Sequence, residues 1–150
     1  MSIIDCHVHL EREDGYAENH LREMDKLDIE QSWLLAVDKD HYATGGFSGY
    51  ADNDEVLKAA RLHPDRFIAF AHIRLDKEGA SDVIRYAEQG FMGLKIINTQ
   101  YPYNHEKYFE SYQKAQELGM VILFHTGVVG YSENDNKYKV SSANMRPIFL

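Results

Sequence analysis

Ile3-Ile4-Asp5-Cys6-His7-Val8-His9 opens the chain as a short apolar strand that ends in two histidines. Side chains alternate across a strand, so Asp5, His7 and His9 are expected on one face and Cys6 and Val8 on the other. Histidines at i and i+2 lie roughly 6.5–7 Å apart at their Cα atoms, so both imidazoles can converge on one ion with Asp5 below them. Divalent transition metals such as zinc favour this nitrogen-plus-carboxylate set. A His-x-His pair can also arise by chance among eight histidines. The apolar strand and the acid in phase favour the metal reading.

Four more apolar runs follow, at Ser32–Asp38, Phe67–Ile73, Met92–Asn98 and Met120–Thr126, with the first extended to Ser2–His9. Their spacing is that of a strand-plus-helix unit. Between them, Glu18–Glu30 carries Leu21, Met24 and Leu27 in one stripe. Asp54–His63 has Asn53 or Asp52 as N-cap and Pro64 past its end. Asp82–Gln89 has Ser81 as N-cap and Gly90 after it, and Glu106–Leu118 stops at Gly119. Near-continuous apolar strands alternating with helices predict an α/β fold with a parallel sheet covered by helices. Five such units fit an open doubly wound sheet or part of a (β/α)8 barrel. No glycine-rich phosphate loop follows a strand, which removes the best support for a nucleotide-binding sheet. His7, His9, Asp38, His72, Asn98 and His125 instead gather at strand C-terminal ends, the rim that carries barrel active sites. The loop Gly45-Gly46-Phe47-Ser48-Gly49-Tyr50 is expected on that rim, flanking a substrate.

The chain has 150 residues, 44% hydrophobic and 27% charged, as expected of a single soluble domain. A net charge of −8 argues against a nucleic-acid or anionic-membrane partner, since both need basic patches. No basic segment followed by a long apolar stretch reads as a signal peptide, and no apolar run is long enough for a membrane helix. Cys6, the only cysteine, forms no internal disulfide, which fits a reducing cytoplasm. It is expected to pack behind the first strand as a small apolar residue.

His125 closes Met120-Val121-Ile122-Leu123-Phe124, and Thr126-Gly127 turns the chain away. A polar ring ending so apolar a strand is costly to bury unpaired. It is either hydrogen-bonded to a neighbouring strand or a ligand, and the company of Asp5, His7 and His9 favours a ligand.

Four ordered motifs now stand together: the opening segment, His63-Pro64-Asp65-Arg66-Phe67-Ile68-Ala69-Phe70-Ala71, Gly90-Phe91-Met92-Gly93-Leu94-Lys95-Ile96, and Leu118 to Gly127. The chain resembles the amidohydrolase superfamily over nearly its whole length. The nearest branch is the amidohydrolase-related group that includes aminocarboxymuconate-semialdehyde decarboxylase. The resemblance implies the first five of eight strands of a TIM-type (β/α)8 barrel, with residues 1–150 as the N-terminal portion of one domain. It implies His7, His9 and His125 as metal ligands. The metal is expected to be zinc, with manganese, iron or cobalt as alternatives, polarising a carbonyl or activating a water.

Asp5 is assigned a catalytic role beside the metal, and so is Lys95. An inward lysine at mid-strand needs a counter-charge or a hydrogen-bonding set, and an ion pair is preferred here to the carbamate bridge of some superfamily members. His72 and Arg74 are placed to meet a substrate carboxylate, Arg74 in bidentate fashion, with a solvated rim position as the equal alternative. Tyr101, with Pro102, Tyr103 and Asn104, would supply an aromatic wall, although surface loops often hold such residues without function.

The family pattern continues with a strand-six histidine and a strand-eight aspartate that serves as ligand and base. No histidine follows His125, and the last acids are Glu133 and Asp135. The expected function is a metal-dependent hydrolase or decarboxylase of a small organic acid, amide or lactone, catalytically incomplete at 150 residues. C–N, C–O and C–C cleavage all stay open. The alternative is a non-catalytic partial barrel that binds metal weakly or serves in assembly. Unpaired sheet edges would favour a homo-oligomer or association with a C-terminal part.

Overall fold

The computed structural model describes residues 2–38, 49–127 and 142–147. Residues 45–48 of the expected substrate-flanking loop, with Glu133 and Asp135, lie outside them. The chain divides into two compact units, Met1–His72 with Gly90–Met92, and Ile73–Gln89 with Gly93–Leu150.

The first unit contains β1 (Ile3–Val8), α1 (Tyr16–Lys26), β2 (Ile29–Leu35), α2 (Asn53–Leu62) and β3 (Phe67–His72). β1 pairs with β2 and β2 with β3, both in parallel. The core of this unit holds Met24, Leu34, Leu35, Val56, Phe70 and Ala71, each 1% exposed or less. β2 starts three residues earlier than its apolar run because Arg66 fixes its beginning. The guanidinium donates to the carbonyls of Glu30 (3.0 Å) and Ile29 (3.1 Å) and pairs with Asp25 at 2.8 Å. α1 accordingly ends at Lys26, and Asp28 takes a left-handed φ of 54° to turn the chain into the strand. Leu27, expected on the buried stripe, is exposed. α2 is capped by Asp52 in a reciprocal capping box with Glu55. Arg12 braces both acids, at 3.0 Å and 2.8 Å.

The second unit contains α3 (Ala80–Gln89), β4 (Gly93–Ile96), a 3-10 turn (Glu106–Tyr108), α4 (Phe109–Glu117), β5 (Val121–Phe124) and a 3-10 turn (Ser142–Met145). β4 and β5 are parallel, and α3 packs against α4. Ile73, Val83, Leu94, Ile96, Tyr103, Tyr108 and Ala115 form its core. α3 begins two residues before the expected start, so Ser81 is not the cap. Asp82 reaches back to accept from the Gly79 N–H at 3.0 Å. The expected fourth helix splits, because the His105 ring accepts from the Lys107 N–H and holds the first turn as 3-10. Phe109 and Leu118 are exposed. Gly90 (φ 103°) and Gly119 (φ 67°) end α3 and α4 in conformations that favour glycine.

Candidate active site

In the first unit, His7 and His9 bring their Nε2 atoms to 3.2 Å. Two nitrogens at that spacing, each about 2.05 Å from a shared ion, would subtend an angle of about 100° at it. That value lies between the octahedral and tetrahedral ideals. The His9 Nδ1 donates to the Leu35 carbonyl at 2.8 Å, which leaves the Nε2 lone pair free of a proton. The pair therefore has the spacing, and His9 the tautomer, that a divalent metal requires. Among the described residues, no group of three or more His, Cys, Asp or Glu side chains is placed to hold a metal ion.

Asp5 departs from the even alternation read from the sequence. Asp5 is opposite Ser32 and Val8 opposite Leu34, so β1 carries one extra residue between these partners. Such an irregularity turns the side chains on either side of it out of phase. Asp5 thus shares the face of Ser32, whose Oγ meets the His20 Nε2 at 3.1 Å on α1. Its charge reaches His20, opposing the burial that lowers the pKa of that ring. The Asp5 carboxylate accepts from the His7 backbone N–H at 3.0 Å, so it holds the main chain of the histidine pair. Cys6, in the same irregular segment, is exposed rather than packed.

His72 ends β3 at 2% exposure. Its Nδ1 accepts from the Asp38 N–H at 3.0 Å, which places the proton of the neutral ring on Nε2. Asn53, the first residue of α2, clamps the His72 backbone. Its Oδ1 accepts from the His72 N–H at 2.8 Å, and its Nδ2 donates to the His72 carbonyl at 3.1 Å. Asn53 was legible only as a helix cap. The clamp requires α2 and β3 to be packed together.

In the second unit, the His125 N–H donates to the Ile96 carbonyl at 2.9 Å, continuing the ladder past β5. The Tyr103 hydroxyl donates to the His125 carbonyl at 2.7 Å, and Tyr112 donates to the Tyr103 carbonyl at 2.9 Å. Burial pushes both tyrosines up, so they remain donors. The Phe124 ring packs on Tyr103 and Tyr112. Lys95 is the register partner of Leu123. Alternation then puts Lys95, Leu123 and His125 on the face opposite Phe124. Lys95 is 2% exposed, its Nζ has no hydrogen-bond partner among the described residues, and burial pushes its pKa down to about 8. The ion pair preferred for Lys95 from the sequence has no partner among the described residues.

Arg74 is not a solvated rim residue. It is buried and its guanidinium faces Asp76 at 3.5 Å, and its backbone N–H donates to Glu78 at 2.7 Å. Tyr101 stands partly exposed, its ring stacked on His105 with centroids 4.3 Å apart.

A family model described as amidohydrolase matches residues 4–145. The chain belongs to the amidohydrolase family. No curated protein sequence matches it. Three solved structures resemble this amidohydrolase chain. A 2,6-dihydroxybenzoate decarboxylase from Rhizobium has a TM-score of 0.66 and 17% identity, over 92% of this chain and 53% of its own. A 5-carboxyvanillate decarboxylase from Novosphingobium aromaticivorans, complexed with manganese and 4-hydroxy-3-methoxy-5-nitrobenzoic acid, has 0.59 and 21%, over 88% and 40%. A probable 2-pyrone-4,6-dicarboxylic acid hydrolase from Acinetobacter baumannii with citric acid bound has 0.57 and 16%, over 81% and 48%. At these identities the likeness shows the fold, parallel β/α units of a partial TIM-type barrel. The chain spans roughly half the length of these relatives.

Proposed function

We propose that this amidohydrolase chain contributes the metal-binding half of a decarboxylase or hydrolase acting on a small carboxylated organic acid. His7 and His9 would hold a divalent metal, with His125 as third ligand. The single observation that carries the reading is the His7–His9 pair, 3.2 Å apart, with the tautomer of His9 set by Leu35. Zinc and manganese both suit imidazole with oxygen ligands, and the 5-carboxyvanillate decarboxylase holds manganese. A metal held there would supply Lewis-acid polarisation. Asp5 would keep the His7 main chain in place rather than ligate. His72 would present Nε2–H as a neutral donor to a substrate oxygen, and Tyr101 an aromatic wall. Arg74, held by Asp76, would tie down the loop after β3 rather than grip substrate. The relatives whose names specify substrates act on, or bind, aromatic or cyclic carboxylic acids, which supports that substrate class.

Activity of the 150 residues alone would be weak, because the chain spans about half of each relative. Ile3 and Ile4 on β1 are 41% and 46% exposed, which supports self-association or pairing with a complementary half as the way this strand is covered. The same exposure supports the second reading, a non-catalytic assembly element. A cytoplasmic location remains part of the proposal, and no helix of the described residues is long and apolar enough to cross a membrane.

The test uses the chain loaded with Mn²⁺ or Zn²⁺. CO₂ release from 2,6-dihydroxybenzoate and ring opening of 2-pyrone-4,6-dicarboxylate are followed with and without chelator. Slow turnover that is lost in His7→Ala and on chelation is expected. Turnover indifferent to both would overturn the metal reading, and its complete absence with metal bound would favour the assembly element.

A further inference from the structure

Lys95 lies in the middle of β4, 2% exposed, and its ammonium nitrogen has no hydrogen-bond partner among the described residues. A buried cation without a counter-charge is among the costliest features a core can carry, and removing it should improve stability. The other buried cation of this unit, Arg74, already faces Asp76. Lys95 shares a face with His125, two residues beyond its register partner Leu123. A cost of this kind is a common signature of a group kept for a ligand rather than for the fold.

We propose that Lys95 is a carboxylate-recognising residue, its ammonium completed by one anionic oxygen pair of the substrate. The inference rests on the small-acid reading above and names the group that selects for the acid. One ammonium balances one negative charge, so the fitting ligand is a monoanionic carboxylate rather than a phosphate dianion. A lysine tolerates approach from several directions, since its three donors rotate on a flexible stem. Different ring acids can therefore share it.

The test is Lys95→Met, which keeps the length of the stem and removes the charge. Benzoate, and inorganic phosphate as the competing anion, are titrated calorimetrically into the full chain, metal-free and Mn²⁺-loaded. Thermal midpoints are measured without ligand. Two results are expected together: a higher midpoint for Lys95→Met, and benzoate binding weakened roughly 10- to 100-fold, as for loss of a charged hydrogen bond. Phosphate should not compete. A lower midpoint would mean that Lys95 has a structural partner, and would overturn the proposal. Equal benzoate affinity in the two proteins, no benzoate binding by the parent chain, or phosphate competing as well as benzoate would also overturn it. Mn²⁺ binding, measured separately, distinguishes failure of the metal reading. Carboxylate binding that depends on Lys95 without metal leaves this inference standing while the metal reading falls.

Discussion

Replacing Asn53 by alanine removes two hydrogen bonds at once from the backbone of His72, those of 2.8 Å to its N–H and 3.1 Å to its carbonyl. His72 is 2% exposed, so little water can substitute. A hydrogen bond to a buried backbone group is worth about 1–3 kcal/mol when one side is deleted. The two bonds share one side chain and do not add in full, so the pair should cost about 2–4 kcal/mol, a substantial share of the stability of a small domain. Asn53→Asp keeps an acceptor for the His72 N–H but turns a carboxylate oxygen toward the His72 carbonyl, where the amide donated at 3.1 Å. That repulsion offsets the gain from a negative charge in the first turn of α2, so its cost should be no smaller than that of Asn53→Ala. Trp33, the only tryptophan, stacks on Phe70 in the same unit, so its fluorescence reports this unit directly. In urea, with a slope of about 2 kcal/mol per molar, the midpoint should fall by about 1–2 M for Asn53→Ala. A loss below about 0.5 kcal/mol, the size of an ordinary surface substitution, would refute the clamp.

Tyr103→Phe should cost about 1 kcal/mol of stability and lower Zn²⁺ affinity about tenfold, through the freed His125 carbonyl. Unchanged affinity in a competitive chelator titration would restrict Tyr103 to packing. The pKa of His20 is lowered by burial, only partly offset by Asp5. Its ordinary value is 6.5, so below that pH the unfolded chain binds the extra proton first. Stability from this group is complete above about pH 6.5 and falls as the pH drops toward the lower folded value. His20→Gln, which can still meet Ser32, should flatten urea midpoints measured between pH 7 and 5.5. A slope identical to that of the parent chain would remove His20 from the account.

The alternation of strands and helices was legible because each strand is a compact apolar run and each helix ends at a punctuating residue. Glu30 and Gln31 hid the start of β2, since nothing in a polar pair announces that Arg66, 36 residues on from Glu30, will bind the carbonyls there. The histidines were readable from spacing alone. The phase of Asp5 was not, because strict alternation has no means of registering an inserted residue. Arg74 read as a rim residue facing a substrate carboxylate or solvent because its partner, Asp76, becomes opposed only through the turn of the loop after β3. Lys95 could be placed inward from its apolar neighbours, whereas its lack of a hydrogen-bond partner among the described residues is a property of three-dimensional packing. Asn53 and Tyr103 act on backbone groups of distant residues, and side-chain patterns do not record such contacts.

The central proposal is that His7, His9 and His125 share one ion. X-ray absorption of the Zn²⁺-loaded chain counts imidazole nitrogens around the metal and measures their distance. Three imidazoles at about 2.0–2.1 Å are predicted for the parent chain. Two are predicted for each of His7→Ala, His9→Ala and His125→Ala, with weakened binding in every case. An imidazole count unchanged in His125→Ala, or a zinc shell without imidazole in the parent chain, would contradict the account.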